Sequence, residues 1–148
     1  MDRQTVAGTV RSMLEPGGSW VHVSATTHEG IEDADDLPLP SPPRAEIAEL
    51  VHEYLGPARR AGISGEEAVL AAAGFSGPRR VTVAGHVHER SEDDVVASVL
   101  SLSWAAPHLF GDRKAEFETD LRELLRRTSP DGRFAERARE VELVIWPK

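Results

Sequence analysis

Leu14-Glu15-Pro16-Gly17-Gly18-Ser19-Trp20-Val21-His22-Val23-Ser24 is the stretch on which the reading of this chain turns. Pro16 cannot extend a helix, and the two glycines accept a tight turn. Trp20 to Ser24 is a short run rich in β-formers. Just upstream, Val6, Val10, Met13 and Leu14 share one face at helical spacing, and Asp2 can cap the start. A helix over about 2–14, a Pro-Gly-Gly turn and a strand make the αβ half of an alternating unit.

The pattern continues outward. Residues 26–43 are irregular, with an acidic cluster (Glu29, Glu32, Asp33, Asp35, Asp36) followed by Pro38, Pro40, Pro42 and Pro43. Arg44 to Leu55 is a helix with Ile47, Leu50, Val51, Tyr54 and Leu55 as its apolar stripe. Ser41 and the two prolines suit its start. Ser64-Gly65-Glu66-Glu67 reads as a capping box whose short helix closes at Gly74. Arg80 to Ala84 is a strand, and Ser91-Glu92-Asp93-Asp94 opens a second boxed helix carrying Val95, Val96, Val99, Leu100 and Leu102. Pro107 breaks that pattern. A helix over about 112–127 and the turn Ser129-Pro130-Asp131-Gly132 follow. The last strand runs from Val141 to Trp146, with Val141, Leu143 and Ile145 on one side and Glu142, Val144 and Trp146 on the other. Three strands are read in all.

Bulk numbers set the frame. The 148 residues carry 40% hydrophobic and 28% charged side chains, the mix of an ordinary globular domain. With no cysteine there is neither disulfide nor thiolate chemistry, which fits a reducing cytoplasm. No apolar run is long enough to span a bilayer, and Met1-Asp2-Arg3 starts no signal peptide. A net charge of −8 disfavours nucleic acid, and the pairs Arg59-Arg60, Arg79-Arg80 and Arg126-Arg127 are too scattered for a nucleic-acid footprint.

Leu14-Glu15-Pro16-Gly17-Gly18 before a Val-rich strand resembles the L-x-P-G-G element of class I S-adenosylmethionine-dependent methyltransferases. Leu70-Ala71-Ala72-Ala73-Gly74-Phe75 resembles the L-x-x-A-G-F that precedes strand six of that family, and Val141 to Trp146 is similar to its strand seven. Met1-Asp2-Arg3 looks like the tail of an H-W-M-D-R stretch found just after strand four, which would make Met1 an internal residue of a longer pattern. The resemblance implies an α/β fold: a partial Rossmann-like methyltransferase fold made of the C-terminal strands five to seven, a mixed sheet with the last strand antiparallel between the other two. Residues 1–148 would be one domain, with 26–62 and 88–139 as helical cap insertions. The family's glycine-rich loop after strand one, and the acidic residue ending strand two, have no equivalent here. The full domain would use S-adenosylmethionine; this chain alone is expected to bind no cofactor.

Candidate contacts are few. His28 falls at the carboxyl edge of the first strand, where open α/β sheets carry ligands, though a solvated loop histidine is the plainer account. Trp104, His108 and Phe110, with Leu109, make an aromatic knot that could wall an acceptor pocket or simply pack a core. His86 and His88 lack a third ligand by spacing, so no metal is expected. The acidic cluster could hold a divalent cation, but a charge run is usually a solvated loop. No catalytic acid–base pair stands out, and methyl transfer relies chiefly on positioning. The expected function is therefore part of a small-molecule methyltransferase, catalytically incomplete alone. The alternatives are a non-catalytic remnant or a small-ligand-binding module, with a homodimer forming through the bare edge of its first strand.

Overall fold

The computed structural model describes residues 2–24, 30–31, 37–57 and 65–148. His28, the acidic cluster, Arg59-Arg60, Ser64 and Met1 lie outside the described residues. The chain is mixed α/β and divides into two compact units. The first is formed by Met1–Ala25, Ala61–Ala84 and Glu140–Lys148, and the second by Thr26–Arg60 and Gly85–Arg139.

In the first unit, α1 (Arg3–Met13) starts at Asp2, whose carboxylate accepts from the Gln4 and Thr5 amides. Gly17, at φ +81°, makes the turn that proline begins, and β1 (Ser19–Ser24) follows. α3 (Glu66–Ala72) ends at Gly74, at φ +89°, where the Phe75 amide reaches back to the Leu70 carbonyl over 3.1 Å. Its start differs from the expected capping box. Gly65 is the N-cap, left-handed and without a side-chain cap.

β2 (Arg79–Val83) and β5 (Val141–Pro147) complete a sheet of order β1-β5-β2. Trp20 stands opposite Trp146 and Val23 opposite Leu143, while Val81 also stands opposite Leu143. The last strand lies antiparallel between the other two. The expectation of a mixed sheet is corrected: every strand pair among the described residues is antiparallel. β1 and β2 do run the same way, but β5 separates them. Ala7, Leu70, Phe75, Val144 and Trp146 form the core on one face. α1 meets that face through Ala7, not through Met13, which is 76% exposed. The opposite face carries Val21, Val23, Val81, Val83, Leu143 and Ile145, none of which belongs to a core cluster; Val21, Val23 and Val83 are 48–56% exposed.

In the second unit, α2 (Arg44–Leu55) begins after Pro43, which gives no side-chain cap, so Ser41 does not serve as one. α4 (Glu92–Leu100) has the expected box, with Ser91 as cap and Asp94 as its reciprocal partner. Two short 3-10 turns (Pro107–Leu109 and Gly111–Arg113) lead into α5 (Lys114–Thr128). Ile47, Val95, Val99, Phe117, Leu121, Leu125 and Phe134 are the heart of its core. A second, unforeseen sheet pairs β3 (Val87–Ser91) with β4 (Arg133–Arg137). Among the described residues, no helix is long and apolar enough to cross a membrane.

Candidate functional site

The first unit contains a cleft of about 210 Å³ between α1, α3 and β1. α1 supplies Arg3, Val6 and Ala7, and α3 supplies Glu66, Val69 and Leu70, while Trp20 of β1 forms the floor. Both helices end at the amino-terminal edge of β1 and β2. There Arg11 Nε donates to the Gly74 carbonyl (3.0 Å), Lys148 Nζ to that of Leu14 (2.6 Å), and the Ser76 amide to that of Pro147 (2.9 Å). Their N-terminal halves therefore point toward the carboxyl edge of β1 and β2, and the cleft lies between those halves.

Polar groups meet at one end. His22 Nδ1 lies 3.1 Å from Glu66 Oε2, with the carboxylate half-buried. The neighbouring Glu67 faces away and pairs with Arg80, which Glu142 also holds at 3.0 Å. The Trp20 indole is fixed edge-on against Phe75, with ring centres 6.2 Å apart and planes at 83°. The result is a preset apolar slot with one carboxylate and one guanidinium at its rim.

The second unit holds a buried charge cluster. Glu136 of β4 is 4% exposed. Its Oε1 accepts from the Gly30 amide (2.8 Å) and from Arg44 Nε and Nη2 (3.0 and 2.8 Å). Its Oε2 accepts from Arg44 Nη2 (3.0 Å) and Arg90 Nε (2.9 Å). Burial alone would push this carboxyl up. The Arg44 charge, the Gly30 amide and Arg90 together outweigh it and hold Glu136 below its usual range. A shallow cleft of about 270 Å³ lies beside it. Both carboxylate oxygens are already engaged, so the cluster joins β3, β4, α2 and Gly30 and leaves no base for chemistry.

The residues singled out in the sequence do not converge. Phe110 is buried and stacked on Phe117, with centres 4.1 Å apart and planes at 22°, and Trp104 packs against the same core. His108 is exposed on the first 3-10 turn. None of the three lines a cleft described here. The rings of His86 and His88 lie 5.6 Å apart, and among the described residues no group of three His, Asp or Glu could hold a metal. The sequence did not single out Glu136, and it presented Arg3 only within Met1-Asp2-Arg3 and Glu66 only as part of a cap. A carboxylate in a charged strand such as Arg133–Arg137 carries no local sign that it will be buried. Compared with known proteins, the chain matches no family model and no curated protein.

Proposed function

We propose that these residues form the C-terminal part of a class I S-adenosylmethionine-dependent methyltransferase domain acting on a small molecule. One observation carries the reading: β5 lies antiparallel between β1 and β2, which run parallel to each other. The Pro16-Gly17-Gly18 turn leading straight from α1 into β1, and Gly74-Phe75 closing α3 ahead of β2, agree with it. The second unit would then correspond to the insertions between that family's strands.

On this reading the described residues lack the cofactor's cradle. A cofactor cradle needs glycines whose missing side chains leave room for a ligand. Here Gly18, Gly30 and Gly85 meet protein, and the glycines with open space around them, such as Gly17, Gly65 and Gly77, do not line the cleft of the first unit. A Cβ on Gly18 would lie 3.0 Å from the Glu15 carbonyl, on Gly30 2.3 Å from Glu136 Cγ, and on Gly85 1.8 Å from the Ala138 carbonyl oxygen. No catalytic step through S-adenosylmethionine is assigned to these residues, and alone they are catalytically incomplete. Calorimetric titration with S-adenosylhomocysteine is expected to give no heat of binding; micromolar affinity would overturn that incompleteness. Family membership is tested separately on the DNA upstream of the Met1 codon. An in-frame strand, glycine-rich loop and helix supports it, and an immediate stop codon counts against a working enzyme.

A second reading is an interaction module that pairs with its own copy. It rests on β1, which pairs with no strand on its outer side among the described residues and carries no Lys, Arg, Asp or Glu from Ser19 to Ser24. Such edges template association.

A further inference from the structure

Two imidazoles meet at the start of β3. His88 lies within the strand and His86 stands one residue ahead of it. The Ala138 amide donates to the His86 carbonyl at 3.0 Å, which carries the β3–β4 ladder back to His86 and holds the backbone there. Residues two apart in such a ladder share a face, and the two ring centres lie 5.6 Å apart with planes at 57°. His86 is exposed and His88 partly so.

Neither imidazole is engaged elsewhere. Among the described residues neither ring makes a hydrogen bond or an ion pair. Glu136 stands opposite His88 in the ladder, but Arg44, Arg90 and the Gly30 amide already take its oxygens. The spacing of the rings suits a shared metal ion. Such an ion sits about 2.0–2.1 Å from each nitrogen, with the ring centre about 1.1 Å behind, so two imidazoles at a tetrahedral angle have centres about 5.2 Å apart. Small side-chain rotations close the difference from 5.6 Å. Imidazole suits zinc, nickel and copper, whereas magnesium and calcium take oxygen ligands. A third protein ligand is absent among the described residues, which leaves at least two positions to water and makes the site open and exchangeable.

We propose that His86 and His88 are a two-imidazole site for a late divalent transition-metal ion, with water completing its shell. The site lies wholly within the second unit and stands independently of the methyltransferase reading. Zinc chloride titrated into the chain labelled with ¹⁵N at histidine, followed by NMR, tests it. The ring nitrogens of His86 and His88 should shift together and saturate before those of His108, exposed on the first 3-10 turn, begin to move. His86→Ala should weaken the zinc response of His88 about tenfold or more, because a chelated ion becomes a singly held one. His88→Ala, read at His86, is the reciprocal variant, and the amides of Phe134 and Ala135, buried in β4, report that each keeps its fold. His108→Ala should leave both responses unchanged, and magnesium chloride should move neither ring. Zinc responses that rise in parallel at every histidine, a magnesium response of equal strength, or a His88 response unchanged by His86→Ala would each overturn the proposal.

Discussion

Arg44 grips Glu136 through three hydrogen bonds of 2.8 to 3.0 Å, at a place where the carboxylate is 4% exposed. Removing one member of such a buried group leaves the others charged and unpaired, a loss of about 3–5 kcal/mol. Glu136→Ala should therefore lower the local stability read from hydrogen exchange at the Phe134 and Ala135 amides by about that amount. Glu89→Ala, which breaks the exposed pair with Arg133, should cost under about 1 kcal/mol. Equal costs for the two variants would mean that the cluster does not hold the second unit together.

Acid should act through the same carboxylate. Glu136 titrates below its usual 4.5 in the folded chain, so the stability it adds is fully present above that value. It is lost as pH falls through the lowered folded value. Asp94, held down by the Ser91 amide and hydroxyl, and Asp131, held down by the Ser129 hydroxyl, work in the same direction from exposed positions. Urea midpoints of the second unit should fall from pH 5 toward pH 3. Glu136→Gln should be weaker at pH 7 and should flatten that acid limb. An unchanged slope would assign the acid sensitivity elsewhere.

Two glycines should respond to alanine with opposite signs. At Gly85 the new methyl would sit 1.8 Å from the Ala138 oxygen, so the backbone must move and the melting temperature must fall. Gly8 lies inside α1 with open space around it. Alanine there removes unfolded-state freedom and should add about 0.5–1 kcal/mol. Differential scanning calorimetry of both variants checks the pair. A stabilised Gly85→Ala would rule out the close approach.

Association through β1 has its own reporter. Val23 is 56% exposed and stands opposite Leu143 across the pair with β5. Val23→Lys puts a charge on the edge strand, a common natural block to pairing. Light scattering should show wild-type dimers at high concentration and monomers for the variant. A wild-type chain that stays monomeric counts against the interaction reading.

Legibility in the sequence followed local signals. The bounds of α2, the Asp2 and Ser91 caps, the Gly74 stop and the outer strands all rest on a few adjacent side chains, and the structure places them there. β3 and β4 were missed because Val87–Ser91 and Arg133–Arg137 alternate little and carry five charged residues between them. Their pairing depends on each other, on Arg44 and on Gly30, all distant in sequence. Met13 is grouped with Val6, Val10 and Leu14 on one face because hydrophobic spacing favours large side chains. The sheet needs a small one where α1 comes close, and Ala7 fills that place. Glu66 looked like part of a cap because the sequence could not show that His22 would reach it.

The position of β5 also sets an order of events. β1 and β2 share no hydrogen bonds, and each waits for β5 to supply its ladder. During synthesis the β1–β5 and β2–β5 ladders can therefore form only after β5 has left the ribosome, while the second unit, whose strands are already made, is free to fold first. Such late, long-range closure is slow compared with local helix formation. For that interval the valines of β1 are presented to whatever holdase binds nascent chains.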